Sequence, residues 1–234
     1  MPHFKKKPYN GTVWRFVEAQ HVNSTMKLVD SERAQETLEQ LLDDTKPPVP
    51  AECRHLHYLL FTPFRYEAIY ATRFRRVGQP QGVFYCAETV ETAAAEVAFY
   101  KLLFFFESPG TPIPVEPFEL SAFSVPISTL SAWDLTGSDT SKYRAPNDYG
   151  PCHVVADDAL RAGVEAIRYA SARHDGGRNL AVFSCQAFAK TEPTQPEAWK
   201  FRLSKDRVRV RKSFGPGSFE FLVETYAKDA RITL

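Results

Sequence analysis

The chain has 234 residues, of which 44% are hydrophobic and 24% charged, and its formal net charge is +1. This size and composition are typical of a folded globular domain with a substantial core, and the balanced charge gives no global argument for binding to nucleic acids or membranes. The longest apolar run, residues 102–106, is far too short to span a bilayer. The 18 phenylalanines and 17 prolines favour a packed α/β or α+β fold with many defined loops over a helical bundle.

The cysteines and the amino terminus carry no sign of secretion. Cys53, Cys86, Cys152 and Cys185 are widely separated and form no CxxC pair, so the sequence predicts neither a zinc knuckle nor a dense disulfide framework. Residues 1–7 include three lysines with no apolar segment behind them, which argues against a signal peptide. We therefore expect a cytoplasmic protein with reduced cysteines and no membrane association.

The first part of the chain is predicted to be an N-terminal extension (residues 1–50) that packs on the main domain (residues 51–234). Residues 12–17 indicate a short strand. A helix is predicted to begin near Asp30 or Ser31, to carry an apolar stripe of leucines and to end at a proline-rich segment.

The main domain is predicted to combine β-structure with flanking helices. Residues 82–86 are typical of a strand, and residues 89–105 of a helix whose alanines allow close packing. Several short strands broken by prolines are expected over residues 115–135. The remaining predicted elements are a polar loop at 138–152, a short helix at 157–162, and strands at 166–169, 180–183, 208–211 and 219–222, the last two at sheet edges.

One stretch in the first half of the chain holds a dense set of reactive side chains. Arg73, Arg75 and Arg76 precede a turn rich in glycine and proline, a short strand carries Tyr85, and an alanine-rich helix carries Glu96 among apolar neighbours. Arginine suits phosphate, tyrosine offers a flat face, and a partly buried glutamate can act in acid–base or electrostatic catalysis. In an extended segment Arg73 and Arg75 would share a face, with Arg76 pointing away. The pattern favours a site for a phosphorylated ligand; the alternative is a solvated basic face beside a core tyrosine.

A second informative stretch covers residues 167–180. Ser171 lies where a predicted strand gives way to a glycine-rich loop, a usual place for binding residues. Arg173 and Arg178 add positive charge, and Asn179 adds a side-chain amide. Taken alone, the same pattern is typical of a hairpin loop with surface arginines.

Together, the two stretches resemble the RES-domain toxin family, named for an arginine, a glutamate and a serine. The resemblance lies in ATRFR…GVFYCAETVETAAAE followed by YASARHDGGRNLAVF, and nearer the amino terminus in VWRFVEAQHVNST and LLFTPFRYEAIYATRFR, so it covers most of the chain. Phe74 stands where most members have tryptophan, and the interval from Arg73 to Tyr85 is longer than usual. Either Arg73 or Arg75 is therefore the candidate for the family arginine.

The resemblance implies an α/β (α+β) fold with mixed central sheets and flanking helices, akin to mono-ADP-ribosyltransferases. It implies NAD⁺ as a substrate that is consumed, with no metal expected. Glu96, Arg73, Tyr85 and Ser171 would be the catalytic residues. Residues implied in NAD⁺ binding are Arg73, Arg75, Tyr85, Ser171, Arg173 and Asn179. The chemistry agrees, because cleavage of the nicotinamide–ribose bond develops oxocarbenium character that a nearby carboxylate stabilises.

The resemblance also implies a biological role, as the toxin of a type II toxin–antitoxin system that degrades NAD⁺ or transfers its ADP-ribose to a protein. The implied partner is an antitoxin with an Xre-type helix-turn-helix domain, so DNA would be contacted only through the antitoxin, and the complex could include a homodimer. Water, phosphate and a protein side chain all stay open as the acceptor. A second hypothesis is a non-catalytic nucleotide- or RNA-binding module that uses the same arginines and Tyr85. Glu96 would then have no role, because a carboxylate repels phosphate.

Overall fold

The computed structural model describes residues 4–18 and 29–232; residues 1–3 and 19–28, which belong to the predicted extension, and residues 233–234 lie outside the described residues. The described helices are α1 (Glu32–Asp44), α2 (Tyr58–Arg65), α3 (Val90–Phe106) and α4 (Gly150–Arg161). The described strands are β1 (Lys7–Glu18), β2 (Phe84–Ala87), β3 (Phe118–Leu135), β4 (Ala166–Ala170), β5 (Arg178–Val182), β6 (Glu197–Leu203), β7 (Arg207–Lys212) and β8 (Ser218–Leu222). This mixed sheet with flanking helices confirms the predicted α/β class.

The strands form one sheet in the order β1-β2-β5-β4-β3-β6-β7-β8, and β1 also pairs with β3. The five strands β1, β2, β5, β4 and β3 therefore close a ring, from which β6, β7 and β8 extend as an antiparallel ladder. Only the β3–β4 pair is parallel among these pairings. The predicted strand at residues 12–17 belongs to β1, which lies within the sheet and does not merely pack on it; the domain boundary at residue 50 stays a prediction.

β3 is one continuous strand where several short ones were expected. Pro126 lies in its middle, opposite Thr12 of β1. The Pro126 carbonyl faces away from β1, since it accepts a bond from the Ala189 amide at 3.0 Å. In an antiparallel strand the N–H and C=O of one residue point to the same side. An N–H at position 126 would therefore also point away from β1, and its absence in proline costs no hydrogen bond to β1. The strand therefore continues through the proline.

Other elements also depart from the sequence-based expectations. α4 begins at Gly150, seven positions before the predicted residue 157, with a proline in its first turn. β6 was not predicted. Because β6 pairs with β7, β8 is the one of the two predicted edge strands that lies at an edge of the described sheet. The predicted leucine stripe of α1 does not pack fully, since Leu41 and Leu42 are exposed.

The cysteines differ from the expectation as well. Cys53 and Cys185 form a disulfide with their Cα atoms 5.3 Å apart, so the expectation of reduced cysteines is wrong for this pair. The two lie 132 positions apart in sequence, and only the packing of two short 3₁₀ turns brings them together. Cys86 and Cys152 are free and buried.

Helix α3 and the loop after β4 position the site. α3 buries Ala93, Ala94, Ala95 and Ala98, which are small enough to let the helix lie close to the sheet. Thr89 caps its first turn by accepting a hydrogen bond from the Thr92 amide at 3.1 Å. Within the described part of the chain, no helix is long and apolar enough to cross a membrane.

Candidate active site

The candidate site is centred on the carboxylate of Glu96, a half-buried residue of α3. Two side chains donate hydrogen bonds to the same oxygen: Ser171 Oγ lies 2.7 Å from Glu96 Oε1, and Asn179 Nδ2 also lies 2.7 Å from it. Among the described residues, no protein group donates to the second oxygen, Oε2. The two bonds to Oε1 thus fix the carboxylate, while Oε2 accepts no hydrogen bond from a described residue.

The hydrogen-bonding capacity of Ser171 is fully used by this arrangement. Its side chain is completely buried, and its Oγ accepts bonds from the backbone amides of Arg173 and His174, each at 3.0 Å. A hydroxyl has two acceptor lone pairs and one hydrogen, so the remaining hydrogen points to Glu96. Ser171 therefore orients Glu96, and it does not line the cavity, although the resemblance implies a role for it in NAD⁺ binding.

The loop that carries Ser171 is held against the start of α3. A Cβ atom added to Gly177 would come within 2.8 Å of the Thr92 side chain, so only glycine allows this approach. Thr92 Oγ1 also lies 2.9 Å from His174 Nδ1. The close contact brings the end of β4 beside the helix, and Glu96 lies one turn further along that helix.

Glu96 lines a cavity of about 320 Å³ between α3 and the sheet. The other lining residues are Trp14, Arg15, Phe16, Thr72, Arg73, Tyr85, Cys86, Ala87, Ala93, Val97, Tyr100, Tyr169 and Asn179. This volume is at the lower end of the range of small-molecule sites, and a mostly apolar wall with a few polar groups is typical of them. The structure thus brings four predicted residues, Arg73, Tyr85, Glu96 and Asn179, to one cavity.

Tyr85 presents its ring to this cavity from β2, and its hydroxyl is held by the preceding loop. The hydroxyl lies 2.8 Å from Thr72 Oγ1 and accepts a hydrogen bond from the Phe74 amide at 3.0 Å. Burial raises the pKa of Tyr85 to about 12, although both of these hydrogen bonds act to lower it. Tyr85 is therefore a neutral phenol near pH 7.

Arg73 is the arginine of the predicted cluster that lines the cavity. Its Nη1 donates to the carbonyl oxygens of Tyr143 and Ala145, each at 2.9 Å. Its guanidinium carbon lies 4.9 Å from the ring centre of Tyr149 and 6.0 Å from that of Tyr169. Both rings stabilise the positive charge and hold the planar group in place.

Arg75 and Arg76, by contrast, do not line the cavity. Residues 72–75 form a tight turn, with the Thr72 amide bonded to the Arg75 carbonyl at 2.8 Å, so the predicted common face of Arg73 and Arg75 is wrong. Arg75 donates to the carbonyl oxygens of Tyr66 and Gln79 in its own loop. Arg76 is exposed and forms an ion pair with Asp157 at 2.9 Å.

Arg173 is also placed away from the cavity wall, contrary to its predicted role in ligand binding. Its side chain is only 2% exposed and pairs with Asp229, which is fully buried, at 3.0 Å. The guanidinium carbon lies 3.3 Å from the ring centre of Phe99 in α3. Arg173 therefore fixes the Ser171 loop to the helix and to the carboxyl-terminal segment. Sequence reasoning could not anticipate this, because Asp229 lies 56 positions later.

Sequence reasoning missed Arg15, which reaches the cavity from β1. Its neighbours Trp14 and Phe16 lie in the predicted strand at residues 12–17, and both also line the cavity. Two sequence signals were present: Arg15 lies inside a predicted strand, and it belongs to the family-like segment VWRFVEAQHVNST. The pairing of β1 with β2 and β3 places it inside.

The RES-domain model matches residues 49–204, about two thirds of the chain. The chain therefore belongs to the RES-domain family, which confirms the resemblance seen in the sequence. Arg73, Tyr85, Glu96, Ser171 and Asn179 all fall within the matched segment. Arg15 and Asp229 fall outside it.

Two further comparisons add little. No curated protein is significantly similar to the chain. Among solved structures, a chain of the crystal structure of the M. tuberculosis MbcT-MbcA toxin-antitoxin complex is similar with a TM-score of 0.47 and 12% identity, over 84% of this chain and 86% of that one. Similarity at this level is not evidence for the fold or the function of this chain.

Among the described residues, no group of three or more His, Cys, Asp or Glu side chains could hold a metal ion.

Proposed function

We propose that this RES-domain protein is the toxin of a toxin–antitoxin system and that it cleaves the nicotinamide–ribose bond of NAD⁺. The observation that carries the proposal is the Glu96 carboxylate, anchored through one oxygen by Ser171 and Asn179 and lining a cavity that also holds an arginine and aromatic rings. A non-catalytic nucleotide-binding module has no use for such a carboxylate. A fixed negative charge beside a ribose that becomes cationic supplies electrostatic stabilisation without reorganisation.

The proposed reaction begins with heterolysis of the C1′–N bond. The bonding electron pair leaves with nicotinamide, which becomes neutral, and the positive charge moves to the ribose ring as an oxocarbenium ion. Glu96 Oε2 stabilises this ion, and Ser171 and Asn179 keep the carboxylate in position. Tyr85 provides a face for the nicotinamide ring, and Arg73 provides positive charge for the diphosphate. The charge balance needs no metal, and NAD⁺ is the substrate.

The acceptor that captures the cation is water, phosphate or a protein side chain. The three give different products: ADP-ribose, ADP-ribose 1″-phosphate, or an ADP-ribosylated protein. The test is to incubate the purified chain with NAD⁺ and to measure nicotinamide release by chromatography, with and without phosphate and with and without a cell extract. Binding of NAD⁺ without nicotinamide release would support the nucleotide- or RNA-binding module instead.

The proposed partner is an antitoxin with an Xre-type helix-turn-helix domain. An enzyme that drains NAD⁺ in the cytoplasm, the proposed location, must be blocked when it is not needed. The net charge of +1 argues that DNA is contacted through the partner, since phosphate neutralisation needs an excess of positive charge. Co-expression with an antitoxin of the Xre type is expected to restore growth and to yield a complex, whose mass would reveal a homodimer. Normal growth and NAD⁺ levels in cells that express the chain alone would contradict the toxin proposal.

A further inference from the structure

The antiparallel ladder β6-β7-β8 has one apolar face and one charged face. On the apolar face Trp199, Phe201 and Val208 are buried in the core that also contains side chains of α3. Because side chains alternate between the two faces of a strand, the charged face lies on the side of the ladder opposite α3, and none of its cations lines the cavity of Glu96. Five cations, here called the basic face, point outward from β6 and β7: Lys200, Arg202, Arg207, Arg209 and Arg211.

Like charges lie directly opposite each other on the basic face. Lys200 of β6 is paired in the register with Arg211 of β7, and Arg202 is paired with Arg209. Like charges in such cross-strand positions destabilise a sheet, so this arrangement opposes the folding of the ladder. Its cost would be offset by an anion that binds between the two strands.

Carboxylates on the same face compensate only part of this charge. Glu220 of β8 pairs with Arg207 at 3.0 Å and with Arg209 at 3.2 Å, and Glu119 of β3 lies opposite Lys200 in the register. The turn between β6 and β7 adds one lysine and one aspartate, which cancel each other. Five cations and two carboxylates leave an excess of three positive charges on this face.

The excess is local, because the whole chain has a net charge of only +1. Neither Arg202 nor Arg211 forms an ion pair with any residue that the structure describes. Both side chains are exposed, so their donors are accessible to a ligand from solvent.

The basic face is concave. A depression of about 590 Å³ is lined by Pro117, Lys200, Arg202, Arg209, Arg211, Lys212, Ser213 and Gly215, a set without a carboxylate. A second depression of about 400 Å³ shares Arg202 and Arg209 with the first and adds Ser204, Asp206 and Arg207. The two depressions therefore adjoin across the ladder, and a concave surface lined by one sign of charge attracts ligands of the opposite sign.

An exposed aromatic ring stands beside the larger depression. Phe214 lies in the β7–β8 hairpin between Ser213 and Gly215, which both line the depression, and it is 82% exposed. Gly215 has a φ of +77°, which lets the hairpin turn directly after Phe214. A cationic groove with an exposed ring beside it is the arrangement that binds single-stranded nucleic acids, because the phosphates follow the charges and a base stacks on the ring.

We propose that the basic face binds single-stranded nucleic acid, with about three phosphates held by Lys200, Arg202 and Arg211 and one base stacked on Phe214. Arginine favours phosphate because its planar fork donates two hydrogen bonds at once. A duplex would leave the exposed ring unused, since its bases are stacked inside. β7 and β8 lie beyond residues 49–204, the segment that matches the family, and the proposal does not rest on NAD⁺ cleavage.

The test measures binding of a fluorescein-labelled single strand of mixed sequence, as DNA and as RNA, by fluorescence anisotropy at several salt concentrations. For the wild-type chain, the logarithm of affinity should fall with the logarithm of salt concentration with a slope of about −2, since each of about three phosphates contributes about −0.7. Lys200→Gln, Arg202→Gln and Arg211→Gln should each change the slope to about −1.4 and weaken binding about fivefold to tenfold at roughly 50 mM salt. Arg54→Gln is the matched control, because it removes the same charge from an exposed arginine outside the basic face, and it should bind as the wild type does.

Phe214→Ala tests the stacking contact separately from the charges. It should weaken binding about fivefold or more and leave the salt slope unchanged, because the ring carries no charge. The melting temperature of Arg202→Gln should equal or exceed that of the wild type, since one of two opposed like charges is removed. A lower melting temperature with unchanged affinity would give Arg202 a structural role and overturn the proposal.

Competing ligands give results of a different kind. Polyglutamate that binds as tightly as the single strand and depends on the same arginines would assign the face to an acidic protein segment and overturn the proposal. Tighter binding of a duplex, unaffected by Phe214→Ala, would reject the single strand as the ligand. Loss of binding in Arg73→Lys, with none in Arg202→Gln, would place the nucleic acid at the cavity. Absence of binding to the wild-type chain would reject the site, and none of these measurements depends on NAD⁺.

Discussion

Replacing Glu96 with glutamine removes the charge of this side chain and keeps its shape. The amide oxygen of glutamine can still accept hydrogen bonds from Ser171 and Asn179, which both donate to one oxygen at 2.7 Å. Bonds to a carboxylate are worth about 1 kcal/mol more than bonds to a neutral acceptor. The loss over two bonds is partly offset because a half-buried charge no longer has to be desolvated. We therefore expect the free energy of unfolding to fall by no more than about 2 kcal/mol.

The expected effect on catalysis is larger than the effect on stability. Loss of one preorganised electrostatic contact to a charge that develops in the transition state typically lowers kcat by about 10²–10³. Because the ribose is not yet cationic in the bound substrate, KM should change little. The assay is nicotinamide release under saturating NAD⁺, with a melting curve of each variant. For a chain of this length, 1 kcal/mol corresponds to about 2–4 °C in Tm, so a kcat loss can be separated from unfolding.

Glu91→Gln is the matched control, since Glu91 lies on the same helix but is exposed and outside the cavity lining. Its kcat should equal that of the wild type. If Glu96→Gln released nicotinamide at the wild-type rate, the carboxylate would not stabilise a ribosyl cation and the proposed mechanism would be wrong. Equal losses in both glutamine variants would instead indicate a general effect of negative charge near the amino-terminal half of α3.

Two further predictions concern the arginines. Arg73→Lys is expected to raise the KM for NAD⁺ about tenfold, because a lysine cannot reproduce the planar fork. Arg75→Lys should leave KM unchanged and lower Tm, since the hydrogen bonds of Arg75 to described residues all go to loop carbonyls. A larger KM effect at Arg75 than at Arg73 in steady-state kinetics would contradict this placement. Burial acts to raise the pKa of Asp229, but the hydrogen bonds from Arg231 and the charge of Arg173 lower this pKa to about 2. The ionised carboxylate therefore stabilises the folded state by roughly 2 kcal/mol above the unfolded pKa near 4, and this stabilisation is lost as the pH falls toward 2. Chemical denaturation of Asp229→Asn and wild type should accordingly differ most near neutral pH and converge below pH 3; a constant difference would refute this assignment.

Local patterns in the sequence predicted the part of the site that local structure builds. The strand with Tyr85 and the helix with Glu96 follow each other within one supersecondary unit, so spacing and helix periodicity were sufficient. The juxtaposition of Ser171 with Glu96 is not local, and it was anticipated from the family resemblance. Spacing failed for Arg75, because a tight turn at residues 72–75 replaces the extended segment that was assumed.

Several other errors share a physical cause, which is contact between residues that are distant in sequence. Arg15 became a cavity residue through the pairing of β1 with strands more than 70 positions later. The disulfide between Cys53 and Cys185 arises in the same way. β3 continues through Pro126 because the backbone polar groups of this position face the loop that contains Ala189 and not β1. Composition and spacing carry no information about such partners.

The site depends on both segments that flank the part of the chain matched by the family. β1, at residues 7–18, closes the ring of strands and supplies Arg15, while Asp229 near the carboxyl end is the buried counterion of Arg173. Arg173 lies two positions after Ser171, and its backbone amide donates to Ser171 Oγ. Without Asp229 the Arg173 charge would be buried and unpaired, and the loop that holds Glu96 would lose its anchor. The cavity and its carboxylate are therefore products of the whole described chain and not of residues 49–204 alone.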